Sequence, residues 1–200
     1  MELNSVEEIW KGLSNAPIAV CALIVGVLLL LKKGVKWEWR AICLEGAFAS
    51  FCGMFVHTFK INETYRRIFW VFLYALLFEL IRLFSHRVSV YITQKEKHEY
   101  ITVRIIELVL YVAAAALLVI LNRFDMIMLI IFALLCVLRV VMAFVKYPKA
   151  TTLLKVLMGV ALLAIITLAF EDIIPYAVVV CHILIAIAIV IYYFIASKDR

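Results

Sequence analysis

The sequence predicts an all-α membrane protein: a polytopic bundle of about seven transmembrane helices, N-terminus outside and C-terminus in the cytoplasm. Three observations predict it. Of 200 residues, 68% are hydrophobic, against roughly 45–50% in soluble domains, and a chain this short cannot hide the excess in one core. The apolar residues form continuous runs such as Ile183–Ile195, not the alternating stretches of a membrane barrel, so every backbone group must be satisfied inside helices. Finally, Lys and Arg segregate. With the spans below, fifteen of the 20 fall on one side and five on the other, and the basic side is the cytoplasmic one.

Residues 1–15 read as an amphipathic interfacial segment, with Ile9, Trp10 and Leu13 on one face and Glu7, Glu8 and Lys11 on the other. They lack a basic n-region, so the first apolar run is expected to stay in the protein as a signal anchor. A single seven-helix domain over 16–196 follows. Its first span is 16–31, closed by Lys32, Lys33 and Lys36. The second is 40–59, after Trp37 and Trp39. The third is 67–84, with a polar stem continuing toward Gln94, and the fourth is 101–121. A turn at 122–125 leads to the fifth span, 126–145, which Tyr147-Pro148-Lys149 ends. The sixth is 151–170. Glu171, Asp172 and Pro175 precede the seventh, since Pro suits a helix start, and 197–200 form a cytoplasmic tail.

Several function classes fall away. The net charge of +6 is spent on topology, and no basic segment carries a nucleic-acid-binding pattern. There is no room for a soluble catalytic domain. The five cysteines, Cys21, Cys43, Cys52, Cys136 and Cys181, all lie inside spans without a CxxC pair, which argues against a disulfide framework or thiolate zinc site.

Charges inside a bilayer need a reason. At the helical rise, Glu45, Glu79, Arg82, Arg104, Glu107, Arg139 and Lys155 fall about 5–12 Å from the cytoplasmic edge. Arg104 and Lys155 can snorkel, but the glutamates are too short. Glu79 and Arg82, and Arg104 and Glu107, stand three apart and can neutralise each other. The layer is therefore either a set of ion pairs or a polar cavity open to the cytoplasm. Glu45, Glu79, Arg82, Glu107 and Arg139 are the candidate ligand-binding residues. Glu45 leads them, because Arg40 at the span edge is its only basic neighbour one turn away.

The two membrane histidines come out at different depths, His57 about 5 Å and His182 about 14 Å from the outer edge, which argues against a shared metal. A resemblance bears on them. The run Glu45-Gly46…Gly53-Met54-Phe55-Val56-His57 resembles the second-helix pattern of the CREST superfamily, which includes alkaline ceramidases, progestin/adipoQ-type receptors and haemolysin III proteins. The resemblance implies seven helices and an intramembrane zinc hydrolase site. The family pattern has a serine four residues before the helix-two histidine, an aspartate in helix three and two histidines four apart in helix seven. Here Gly53 replaces the serine, the third span has no aspartate, and Val178 stands where a histidine should precede His182. Microbial rhodopsins share the helix number, but they hold retinal on a last-span lysine and 173–196 contains none.

Three readings stand. The leading one is a protein of the bacterial cytoplasmic membrane that binds or transports a small solute or lipid through the inner-leaflet polar layer, without a cofactor. The second is a CREST-type lipid hydrolase with zinc on His57 and His182. The third is a non-catalytic subunit or sensor, acting as a homo-oligomer or in a membrane complex. The sequence leans away from an enzyme.

Overall fold

A computed structural model describes residues 3–93, 101–121, 127–146, 152–170, 173 and 176–199. Among them are seven α-helices: α1 (Val6–Leu31), α2 (Trp37–Thr58), α3 (Glu63–Thr93), α4 (Ile101–Leu121), α5 (Ile127–Lys146), α6 (Thr152–Ala169) and α7 (Ala177–Ala196). Each is long and apolar enough to cross a membrane, as an integral membrane protein requires. The expected turns at 122–125, 147–149 and 171–172, Pro175, and the polar segment beyond Thr93 lie outside the described residues.

The amphipathic segment and the first span are one helix. Ser5 caps α1 by accepting from the Glu8 backbone N–H at 3.4 Å, and Glu7 and Glu8 complement the helix dipole in the first turn. Pro17 sits inside α1 without ending it. It removes one backbone donor, which leaves the Leu13 carbonyl free of its helical bond. At the other end Arg40 reaches back from α2, donating to the Leu29 and Lys32 carbonyls at 3.1 and 3.0 Å. Gly34, at φ 82°, supplies the left-handed residue that lets α1 turn into α2.

α1 and α2 lie very close, because glycine removes the side chains that would hold them apart. A Cβ on Gly12 would stand 2.4 Å from Thr58 Oγ1 and 3.0 Å from the Met54 carbonyl oxygen; one on Gly26 would stand 3.1 Å from Leu44. The N-terminal strand residues finish the seam. Leu3 pairs with Phe59 in an antiparallel bridge, and the Asn4 amide donates to the carbonyls of His57 and Phe59 at 2.9 and 3.1 Å, capping the end of α2.

The packing order is a ring. α1 lies between α2 and α7; α2 also packs on α3, α3 on α5, α5 on α6, and α6 on α7. α4 stands outside it against α3 and α5, where Tyr74, Phe78, Leu118 and Phe132 form a local core. Outward faces carry exposed Leu23, Leu108, Leu138 and Ile187, among others, as expected for surfaces whose solvent is lipid.

A second core closes the ring at the end where α2 begins and α7 finishes. Trp39 is fully buried, with Tyr192 edge-on at 4.8 Å and Arg87 over its ring at 5.7 Å. The Tyr192 hydroxyl donates to the Trp39 carbonyl at 2.8 Å. Asp199, beyond α7, accepts from Trp39 Nε1 at 2.6 Å and pairs with the Arg87 guanidinium. The short tail is thus locked into the bundle.

Candidate functional site

A polar stripe on α1 builds the site. Glu7, Glu8, Lys11, Ser14 and Asn15 recur at three- and four-residue spacing, so they share a helix face. Lys11 Nζ bridges Glu7 at 3.0 Å and Glu8 at 3.1 Å. The other Glu8 oxygen meets His57 Nδ1 on α2 at 2.7 Å, and His57 stands edge-on to Trp70 of α3 at 5.3 Å. On the far side Ser14 Oγ meets His182 Nδ1 of α7 at 2.7 Å. Asn15 is buried and donates to the Lys11 carbonyl at 3.0 Å; it lies against Gly53, which leaves room for it.

The network assigns the imidazole protons. The Glu8 carboxylate only accepts, so His57 Nδ1 carries hydrogen. Ser14 gives its single hydroxyl hydrogen to the Lys11 carbonyl at 2.8 Å, so His182 Nδ1 must donate to Ser14 Oγ. In their neutral forms both rings then hold a lone pair on Nε2. This also excludes a serine–histidine nucleophile in this arrangement, because the serine proton points away from the imidazole.

These groups sit at one end of a cavity of about 1350 Å³ between the helices, lined by all of them including Leu118 of α4, larger than the roughly 300–1,000 Å³ of common ligand pockets. Glu8, Lys11, Asn15, His57 and His182 line it there, with Glu7, Glu63, Arg66 and Arg67 around them. The rest of the wall is largely apolar: Ile18, Leu73, Leu77, Ile130, Ala161, Ile185 and their neighbours. The far wall is Cys43, Val140, Leu157 and Tyr192, all buried. Charge at the polar end is internally balanced, since Glu63 pairs with Arg66 at 2.7 Å and Arg67 at 3.5 Å and Lys11 is held between two glutamates.

No family model matches the chain. No curated protein and no solved structure matches it significantly either.

Both histidines line the cavity, His57 beside Glu8 and His182 beside Ser14, positions six residues apart on α1 and so about 9 Å apart in depth at the helical rise. Among the described residues no three His, Cys, Asp or Glu side chains converge as a metal-binding group; a catalytic zinc takes three protein ligands.

The five candidate ligand-binding residues of the expected polar layer lie elsewhere, and none of them lines the cavity. Arg82, 2% exposed, donates from Nε to Glu79 at 2.9 Å and pairs with Glu107 at 3.2 Å. Arg104 reaches Glu79 at 3.5 Å. The pairs are therefore crossed between α3 and α4, in addition to the expected contact of Glu79 with Arg82 on one helix. Arg139 Nη2 lies 3.4 Å from His86 Nδ1. Glu45 is half-buried and its Oε2 has no hydrogen-bond partner among the described residues.

Sequence reasoning missed Glu8, Lys11, Ser14 and Asn15. The signal was present. A polar stripe that starts at the interface and continues through Ser14 and Asn15 to the edge of an apolar run marks a face turned toward protein.

Proposed function

We propose that the protein is a binding or carrier protein for a single-chain amphiphile drawn from the bilayer. Its hydrocarbon chain occupies the ring cavity, and its head group rests among Asn15, His57 and His182. The observation that carries this reading is the cavity's polarity: a largely apolar lining with hydrogen-bonding side chains at one end. An amphiphile matches both halves, whereas a water-soluble solute would leave most of the wall unsatisfied. The balanced charges at the polar end suit an uncharged or zwitterionic head. The two Nε2 lone pairs suit a head that donates hydrogen bonds. In this reading the N-terminus is outside, so the cavity's polar end faces the outer leaflet of a bacterial cytoplasmic membrane, and no cofactor takes part.

The test is lipid extraction and native mass spectrometry on protein purified in a mild detergent, with elemental analysis of the same sample. Retained single-chain amphiphile, lost in the double variant H57A/H182A while the fold persists, supports the reading. Protein that retains none, and takes none up from mixed micelles, refutes it. Zinc near one per chain would transfer the assignment to a hydrolase of the CREST type. That alternative draws on His57 and His182 lining the same cavity.

A further inference from the structure

We infer that the far wall of the cavity measures the length of the bound chain, selecting hydrocarbon chains of about 12–17 carbons. The inference rests on the amphiphile-binding reading above and adds the residues that set its specificity.

The ruler has a zero and a stop. The zero is the polar end of the cavity, where His182, beside Ser14, lies deeper than His57, beside Glu8. The stop is the far wall of Cys43, Val140, Leu157 and Tyr192. On α7, His182 and Tyr192 are ten residues apart, about 15 Å at the helical rise. On α2, His57 and Cys43 are fourteen apart, about 21 Å. An extended alkyl chain advances about 1.25 Å per carbon, given C–C bonds near 1.52 Å and angles near 111°. Those limits give about 12 and about 17 carbons.

A stop selects length only if it does not yield, and this one is braced from behind. Tyr192 is 3% exposed, its ring lies between Trp39 at 4.8 Å and Phe84 at 6.1 Å, and its hydroxyl is held on the Trp39 carbonyl. Trp39 is in turn fixed by Asp199 and covered by Arg87. Val140 is 1% exposed and Leu157 is fully buried, so neither can swing aside in a closely packed interior. Between zero and stop the wall includes Gly46, Ala49, Ala161 and Ala188, small residues that leave the bore free for a chain.

The experiment is a binding series with saturated monoacylglycerols of about 8 to 20 carbons, which brackets the span from the helical rise. It is read by native mass spectrometry on the wild type, Ala188→Phe and Val140→Ala. Ala188 lies six residues beyond His182, about 9 Å, so a phenylalanine there blocks the bore short of the stop. Wild-type affinity should rise with each carbon and break between about 12 and 17. Ala188→Phe should bring the break down by about five carbons, and Val140→Ala should raise it by at least one. Affinity that climbs steadily through the whole series, or a break that neither variant moves, overturns the ruler while leaving the amphiphile reading intact. No binding at any length overturns both. If Ala188→Phe does not fold, Val140→Ala decides alone, and an unmoved break then counts against the inference.

Discussion

Replacing Asp199 with alanine should destabilise the bundle by about 3 kcal/mol, out of proportion to its place in a short tail. Its carboxylate answers two buried donors. The Arg87 side chain is only 4% exposed and Asp199 is 15% exposed, so removal strands a guanidinium where water reaches poorly. Breaking a buried pair in this way costs about 3–5 kcal/mol. The Trp39 indole N–H, now bonded at 2.6 Å, loses its acceptor, which adds about 1–3 kcal/mol. The partial exposure of Asp199 and the remaining contact of Arg87 with the Trp39 ring bring the total below the simple sum, to about 3 kcal/mol. The assay is equilibrium unfolding in mixed micelles, followed by the near-ultraviolet dichroism of the tryptophans. Asp199→Asn should fall between wild type and alanine, since it keeps an acceptor for Trp39 without the charge. The double variant R87M/D199A should recover more than half of the loss, because no charge is left stranded. A loss under about 0.5 kcal/mol for Asp199→Ala, or a double variant no better than the single, would refute the reasoning.

Gly12→Val should cost about 1–3 kcal/mol by overpacking the α1–α2 seam, because its Cβ would stand 2.4 Å from Thr58 Oγ1; Thr58→Ala in the same chain should return part of this in the same unfolding assay. Arg82→Leu should cost about 3 kcal/mol by leaving Glu79 and Glu107 without their shared guanidinium. Adding Glu107→Leu should relieve it, while amphiphile retention, measured by mass spectrometry, stays as in wild type because this network is off the cavity. A cysteine at Lys60 should react with a membrane-impermeant maleimide in intact cells and one at Lys33 should not. The reverse pattern would overturn the orientation drawn from the basic residues.

Much of the fold was legible because lipid demands it. Seven apolar stretches gave seven helices, and the polar stem after the third span appeared as the continuation of α3 to Thr93. Helix ends were less legible. The interfacial segment and first span, expected to part between residues 15 and 16, form one helix, and Pro17 inside it is a small defect in a helix packed on both sides by α2 and α7. The candidate site was the hardest to see. Glu8 meets His57 and Ser14 meets His182 across large sequence separations, and such meetings follow from which helices are neighbours. Hydrophobic periodicity says which face of a helix is buried, never against what. The same limit explains the polar layer. Glu79 beside Arg82 could be read from three-residue spacing, but the reach of Glu107 to Arg82 depends on α4 docking against α3.

The ring has a consequence for assembly. α1 touches both α2 and α7, so α1 must wait for α7 to be made before its second side is covered. The glycine-lined α1–α2 hairpin is local and can pair as soon as both helices are in the bilayer, whereas the contact with α7 has the longest separation of any in the bundle. Such a closure is slow in the sense that contacts distant along the chain are slow. Until it occurs the wall of the bore is open on one flank, and Ser14 and Asn15 face lipid in place of protein. Nascent protein is therefore most vulnerable to quality-control proteolysis in the interval between the sixth helix and the seventh.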